Sequence, residues 1–143
     1  MSKIAVIYWS QTGNTEQMAQ AIAEGVQAAG AEAALLNVSE TDAAAAAGYS
    51  KLALGCPAMG AEVLEEAEFE PFFTALESRL TGKRVALFGS YGWGDGQWMR
   101  DWYERTDNAG AFLVHDAGLM AHETPGEEDL AACRALGEAL AKA

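Results

Sequence analysis

The chain has 143 residues, of which 21 are acidic, 9 are basic and 50% are hydrophobic, and its formal net charge is −12 at pH 7. These values predict one globular domain over 1–143, and they argue against nucleic acid as a partner, because nucleic-acid binders carry basic patches. No apolar run approaches the roughly 20 residues of a membrane span, and Met1-Ser2-Lys3 leads straight into a strand pattern, so we expect a cytoplasmic protein with no membrane partner.

The first predicted strand, from Lys3 to Trp9, is apolar without alternation, which is typical of a strand buried on both faces. The turn Ser10-Gln11-Thr12-Gly13-Asn14-Thr15 follows, and a helical pattern then runs from near Glu16 to a stop at Gly30. The turn holds three hydroxyls, a glycine and no Lys or Arg. A helix N-terminus can bind an anion without a cationic side chain, so the turn suits a phosphate, although an ordinary helix cap has the same residue types.

Beyond this turn the chain alternates strand patterns with helical patterns. Short apolar runs predict strands, and apolar residues at helical spacing predict helices. The strands fall at 33–38, 51–56, 84–89 and 111–114, with an extension of the last to residue 120 left open, and the helices fall at 42–47, 69–80, 97–107 and from Thr124-Pro125 onward. Five strands separated by helices predict an α/β fold, a single-domain doubly wound five-stranded parallel sheet.

Three loops of unusual composition follow the first, third and fourth strands, at 10–15, 57–62 and 90–96. Since the strands are parallel, the loops meet at the carboxyl edge of the sheet, where ligands bind in such folds. Their convergence is a stronger signal than any one of the three.

The second and third loops suit a flat ligand. Trp93 lies between glycines, which favours stacking on a ring, although an exposed aromatic or one folded onto Trp98 would give the same pattern. Met59 offers a polarisable side chain for the other face, and Gly60 lets the backbone approach closely. Because the sequence lacks the G-x-G-x-x-G of dinucleotide sites and the Lys of a P-loop, flavin mononucleotide (FMN) is the natural candidate.

The sequence resembles the short-chain flavodoxins of the clostridial type over its whole length. The stretches that carry the resemblance are 8–10, 12–16, 55–56, 58–60, 62–66, 68–72 and 85–96. The resemblance implies the strand order 2-1-3-4-5 and an FMN site at the point where that order reverses.

The resemblance also implies a role for each loop. The turn Ser10 to Thr15 would hold the phosphate, Met59 and Trp93 would pack on the inner and outer ring faces, and Glu62 would accept from the ring N3–H. The expected FMN contacts are Ser10, Gln11, Thr12, Gly13, Asn14, Thr15, Pro57, Ala58, Met59, Gly60, Ala61, Glu62, Ser90, Tyr91, Gly92, Trp93, Gly94, Asp95 and Gly96. Gln11, Pro57 and Ala61 depart from the usual residues at their positions.

The function implied is that of a low-potential one-electron carrier, chiefly through the semiquinone/hydroquinone couple of FMN. The Gly60–Ala61 peptide would turn over when the flavin N5 gains a proton, since glycine adopts the required positive φ at no cost. The acidic residues of 62–70, with Asp95, would disfavour the anionic hydroquinone and lower the second potential. They would also attract basic-faced redox proteins, reductases and oxidoreductases, to the exposed flavin edge of a monomer.

Two other functions compete with that of an electron carrier. An FMN-dependent quinone or nitro reductase would need a substrate pocket over the flavin, which Trp93 is expected to cover. A receiver-type signalling domain would need an acidic pocket at the end of the first strand, where Tyr8-Trp9-Ser10 stands instead. We therefore expect neither an enzyme nor a metal site. The isolated His115 and His122 fit ordinary surface or hydrogen-bonded histidines, and Cys56 and Cys133 fit reduced, buried thiols.

Overall fold

The computed structural model describes residues 3–143, and the first two residues of the predicted domain lie outside the described part. Its sheet is parallel throughout, and its strand order is β2-β1-β3-β4-β5, with a sixth short strand also paired to β4. The strands are β1 Lys3–Tyr8, β2 Glu32–Asn37, β3 Lys51–Gly55, β4 Arg84–Tyr91, β5 Phe112–Leu113 and β6 Leu119–His122. The predicted order 2-1-3-4-5 is confirmed.

Helices cover both faces of the sheet, as the unbroken apolar runs of the inner strands require. The helices are α1 Asn14–Ala28, α2 Ala43–Ala46, α3 Phe69–Glu77, α4 Gln97–Asn108 and α5 Glu127–Lys142, with a short 3-10 helix at Val38–Glu40. One core cluster joins α1 and α5 to the sheet, and the other joins α3 and α4 to the opposite face. The doubly wound architecture predicted from the alternation is therefore confirmed.

The fifth strand is split into two short strands on the same side of β4. Phe112 and Leu113 pair with the start of β4, and Leu119–His122 pairs with its end. A single continuous fifth strand that extends to residue 120, which the sequence left open, is therefore wrong. The chain leaves the sheet between the two short strands. The second piece carries residues 122–124 to the carboxyl edge of the sheet.

Most element boundaries differ from those predicted by one to three residues, and two of the differences affect the loops at the carboxyl edge of the sheet. β4 runs on through Ser90 and Tyr91, because these residues pair with Ala121 and His122 of β6, so the predicted loop at 90–96 begins too early. α1 begins at Asn14 rather than near Glu16, directly after an N-cap glycine in the left-handed conformation. Four residues assigned to loops therefore lie on regular elements that hold their side chains in place.

Helices α1 and α5 approach each other backbone to backbone. A Cβ at Gly25 would overlap the carbonyl oxygen of Arg134, and a Cβ at Gly137 would overlap that of Ile22. Any side chain at either glycine would force the helices apart, so the position of α1 on the sheet depends on α5.

Candidate functional site

A cleft of about 340 Å³ opens at the carboxyl edge of the sheet. Its lining contains hydroxyl, amide and apolar side chains, one carboxylate and no Lys or Arg. The lining residues are Ser10, Gln11, Thr12, Asn14, Thr15, Pro57, Ala58, Met59, Ser90, Tyr91, Gly92, Glu123 and Thr124. The structure thus brings together parts of all three predicted loops.

The first turn of α1 presents hydrogen-bond donors to this cleft. Ser10 Oγ accepts from the backbone N–H of Gly13 at 3.1 Å and from that of Glu16 at 3.3 Å, which leaves its own O–H as a donor. Gly13 has φ 94°, a conformation that favours glycine and that aims the chain into the helix. Asn14 and Thr15 occupy the first turn, where N–H groups have no carbonyl partner within the helix.

A pair of buried hydroxyls joins α1 to β4 at the floor of the cleft. The Oγ atoms of Thr15 and Ser90 lie 3.0 Å apart, and the Ser90 N–H donates to Thr15 Oγ at 3.3 Å. Ser90 therefore acts from a strand, not from a loop as its glycine-rich surroundings predicted. The link fixes the distance between the helix terminus and the strand end.

Residues 59–63 form a tight turn closed by paired backbone hydrogen bonds. Met59 and Val63 exchange N–H···O bonds of 2.9 and 3.0 Å, and Gly60 between them has φ 49°. Glu62 also has a positive φ, 56°, which is uncommon outside glycine. A Cβ at Gly60 would meet nothing within 4 Å, so the Gly60 backbone borders open space.

The Glu62 carboxylate ties this turn to the next loop. Its Oε1 accepts from the N–H groups of Gly96 and Gln97, at 3.3 and 3.2 Å, at the N-terminus of α4. A carboxylate is well placed there, since the helix dipole adds to the two hydrogen bonds. No pattern in the sequence indicates this contact.

The loop that carries Trp93 projects away from the sheet. The Trp93 side chain is 65% exposed, and Asp95 forms an ion pair of 3.0 Å with Arg100. Among the residues predicted to touch a ligand, those outside the lining of the cleft are Gly13, Gly60, Ala61, Glu62, Trp93, Gly94, Asp95 and Gly96. All of these except Gly13 belong to the two turns at the outer rim.

The structure adds Glu123 and Thr124 to the site, and the sequence analysis missed both. They follow β6, and the Glu123 N–H donates to the Tyr91 carbonyl at 2.7 Å while Glu123 itself has φ 59°. The strand topology could have revealed them. All the parallel strands end at the same edge of the sheet, so the loop after the fifth strand also lies beside the site.

Several acidic residues of 62–70 have partners of their own. The Glu65 carboxylate is buried and accepts from three backbone N–H groups before α3, and Glu68 accepts from Trp9 Nε1 at 3.2 Å. Glu70 is paired with Arg105 at 2.8 Å, and that hydrogen bond lowers the pKa of the Glu70 carboxyl below its ordinary value. Much of the acidic charge is therefore engaged in holding the fold.

A wider groove of about 750 Å³ lies between α3 and α4. Arg105 forms one wall, where it bonds both Glu70 and Glu77 and lies 4.8 Å from the centre of the Phe73 ring. The groove is lined by residues 74–78 and 101–109 and shares none with the cleft. It is a surface channel between two helices, apart from the candidate site.

A family model described as flavodoxin matches residues 6–137. The chain belongs to the flavodoxin family. It is 46% identical to the flavodoxin of Megasphaera elsdenii over 140 residues, which cover 98% of this chain and 99% of the relative. It is 48% identical to the flavodoxin of Clostridium beijerinckii over 124 residues, or 87% of this chain and 89% of the relative.

The fold comparison agrees with the sequence comparison. The solution structure of two-electron reduced Megasphaera elsdenii flavodoxin superposes with a TM-score of 0.86 and covers 98% of this chain and 99% of the other. The expected resemblance to short-chain flavodoxins is confirmed. This flavodoxin is accordingly an FMN-binding, low-potential electron carrier rather than an enzyme, and it exchanges electrons with redox proteins.

The described part of the chain fits this cofactor. Hydroxyl donors and a helix N-terminus lie at one end of the cleft, and Met59 and Tyr91 lie beside them. Cβ atoms at Gly13, Gly60 and Gly92 would each meet nothing within 4 Å, so the backbone of each loop is open at these glycines. Within 3–143 no cluster of His, Cys, Asp or Glu could hold a metal ion, and no helix is long and apolar enough to cross a bilayer.

Proposed function

We propose that FMN lies in the cleft with its phosphate on the turn 10–15 and its ring between Met59 and Trp93. The observation that carries this proposal is the convergence of the α1 N-terminus with two glycine-bearing turns at one edge of the sheet. FMN supplies the ability to take up and release electrons one at a time. The chain supplies the binding, the orientation of the ring and the field around it.

The phosphate is held without a cationic side chain. Ser10 O–H, Thr12 O–H and the first N–H groups of α1 converge at one end of the cleft, and the partial positive charge of the helix end favours an anion there. Gln11 is exposed and lines the same wall. Its carboxamide is therefore a further polar group beside the proposed phosphate position.

The ring is covered on its outer face by Trp93. A tryptophan that is 65% exposed on a glycine-rich loop has apolar area to bury, and a flat ring buries it by stacking. Met59, held in the bridge to Val63, covers the inner face. Glu62, from the same turn, accepts from the ring N3–H with the oxygen that does not cap α4.

The Gly60–Ala61 peptide is the part of the chain that would adjust to the redox state of a bound ring. Its Gly60 carbonyl would be the acceptor for a proton held at the ring N5. Support comes from the positive φ of Gly60 and the open space beside it. We expect Gly60→Ala to bring the two one-electron potentials closer together in a redox titration, with Gly48→Ala, far from the cleft, as the control. Unchanged potentials in Gly60→Ala would remove the peptide movement from the proposal.

Basic-faced redox proteins dock at the rim of the cleft. Glu66 and Glu68 are exposed beside the turn 59–63, and Val63 adds an apolar side chain that is 42% exposed. Attraction between exposed charges is screened within about 8–10 Å at ordinary ionic strength. The rate of electron transfer to a basic reductase should therefore fall as salt is added, and a salt-independent rate would contradict this docking mode.

The direct test of the FMN site is titration of the FMN-free chain with FMN, followed by visible absorption and by Trp fluorescence. We expect stoichiometric binding with quenching, and weaker binding by Ser10→Ala than by Ser78→Ala, a control on the remote end of α3. A chain that stays colourless would refute the proposal. NADH consumption without a reductase would favour an FMN-dependent enzyme instead.

We further propose that the protein works as a monomer in the cytoplasm. Both cysteines are free and buried, and burial raises the pKa of Cys133 to about 12, which keeps that thiol protonated and unreactive. Unpaired thiols suit a reducing compartment. A net charge of −12 opposes self-association, and size-exclusion chromatography with light scattering would test this.

A further inference from the structure

His122, the last residue of β6, touches the loop that leads to Trp93. Its Nε2 lies 3.2 Å from the carbonyl oxygen of Gly92, and its ring lies 5.0 Å from the ring of Tyr91, at an interplanar angle of 52°. On its other side Nδ1 lies 3.9 Å from Oε1 of Glu123. The imidazole thus joins β6 to the residue before Trp93.

The chemistry of this contact fixes the state of the ring. A carbonyl oxygen only accepts, so Nε2 must carry the hydrogen, and the neutral ring then leaves Nδ1 without one. Protonation adds a hydrogen at Nδ1, facing the Glu123 carboxylate, and turns the bond to Gly92 into a charge-assisted one. The second of these changes strengthens the link between the Gly92 carbonyl and the end of β6.

Gly92 has no side chain with which to anchor the loop. A Cβ at this glycine would meet nothing within 4 Å, and the residue is exposed. The next acidic residue of the loop, Asp95, is paired with Arg100 rather than with β6. In the part of the chain that the structure describes, the titratable groups that contact the His122 ring are Tyr91 of β4 and Glu123.

We propose that His122 is a positioning residue for the Trp93 loop, and that its protonation strengthens the hold of this loop on FMN. The inference rests on the proposed FMN site. Gly92 lines the cleft directly before Trp93, so a stronger bond from His122 to its carbonyl restricts the movement of the Trp93 loop beside the cleft. The test compares pH 8 with pH 5.5, a range over which histidine side chains change charge.

Three variants distinguish the effect of the hydrogen bond from residue 122 to Gly92 from the effect of protonating His122. His122→Gln keeps an N–H donor but does not titrate, and His122→Phe keeps a ring against Tyr91 but loses the donor. His115→Gln is the matched control, since His115 is exposed and, within residues 3–143, its hydrogen bond is made by the backbone carbonyl, which accepts from the Tyr103 hydroxyl.

The first measurement is the FMN dissociation constant of each protein at pH 8 and pH 5.5. The dissociation constant at pH 8 divided by that at pH 5.5 should be about threefold larger in the natural chain and in His115→Gln than in His122→Gln. The reason is that a charge-assisted hydrogen bond is about twice as strong as a neutral one. The titration of the FMN phosphate is common to all the proteins and cancels. His122→Phe should bind FMN more weakly than His122→Gln at pH 8.

The second measurement needs no cofactor. In the FMN-free chain, the backbone amide resonance of Trp93, which reports on the Gly92 carbonyl, should titrate with the same midpoint as the His122 Cε1–H resonance. It should be independent of pH over this range in His122→Gln. Equal pH ratios in the natural chain and His122→Gln, or a Trp93 amide that ignores the His122 titration, would overturn the inference. Failure of every protein to bind FMN would instead overturn the proposed function.

Discussion

Glu65 is the acidic residue whose replacement should cost the most stability. Its side chain is 8% exposed, and its two oxygens accept from the N–H groups of Ala67, Glu68 and Phe69 at 2.8, 2.7 and 2.9 Å. Its own N–H donates to the Cys56 sulfur at 3.3 Å, so the residue also binds the end of β3. Glu65→Ala removes all three charge-assisted bonds at once.

The expected loss in the free energy of unfolding depends on whether each N–H group can find another acceptor after the substitution. Loss of an N-terminal cap costs about 0.5–2 kcal/mol. The N–H groups at the exposed Ala67 and Glu68 can bond water, whereas the N–H of the buried Phe69 cannot, and an unsatisfied buried donor costs about 1–3 kcal/mol. We expect a total of about 3 kcal/mol for Glu65→Ala, and Glu65→Gln should recover part of it with its single acceptor oxygen.

The sign of the pH dependence follows from the same contacts. Burial raises the pKa of the Glu65 carboxyl, but the bonds from Phe69, Glu68 and Ala67 outweigh it, so the pKa lies below its ordinary value in the folded chain. The unfolded chain therefore binds the proton more readily. The stability that Glu65 supplies is complete above the ordinary glutamate range, about pH 4.3, and is lost as the pH falls through the lowered folded-state pKa.

The assay is urea unfolding of the FMN-free chain, followed by far-UV circular dichroism at pH 7 and at lower pH. Glu66→Ala is the control, because Glu66 is the exposed neighbour in the same turn, and it should stay within about 0.5 kcal/mol of the natural chain. The reasoning is refuted if Glu65→Ala lies within 1 kcal/mol of Glu66→Ala. It is also refuted if the gap between Glu65→Gln and the natural chain does not shrink in acid.

Three further outcomes follow from the structure. Gly89→Ala should lower the thermal midpoint by more than 10 °C or prevent folding, because its Cβ would overlap the Cys56 carbonyl oxygen, and calorimetry measures this. Ser10→Ala should weaken FMN binding about tenfold in a fluorescence titration, since it removes a phosphate donor and a cap of α1. Arg105→Met should lower the free energy of unfolding, measured in urea, by about 1 kcal/mol. The loss should be smaller in high salt, since the ion pair of Arg105 with Glu70 is partly exposed.

The sequence was sufficient for the strand order and for most of the residues in the cleft. Unbroken apolar runs mark strands buried on both faces, and the resemblance supplied their order. The turns at 10–15 and 57–62 were found because their hydroxyl and glycine content is unusual after a buried strand. These are local signals, and each could be read from a few consecutive residues.

The errors lie where partners distant in the sequence decide the structure. Ser90 and Tyr91 have a turn-like composition, yet they extend β4 because Ala121 and His122 pair with them. The same pairing splits the fifth strand and places Glu123 in the cleft. No periodicity in either segment reveals a register that joins residues about thirty positions apart.

The acidic segment shows a second limit of sequence reasoning. A run of carboxylates predicts a negative surface, but each carboxylate acts according to the donors around it. Glu65 faces backbone N–H groups, Glu70 faces Arg105, and Glu62 faces the end of α4. Composition gives the total charge and does not say which charges are neutralised within the fold.

The interlocked glycines of α1 and α5 bear on when the cofactor can be loaded during the life of the protein. Gly25 and Gly137 let the two helices touch, and the N-terminus of α1 is the end that we propose binds the phosphate. While the ribosome still holds residues 127–142, α5 has not formed and α1 lacks the helix that packs against it. Loading of FMN should therefore wait for release of the nascent polypeptide.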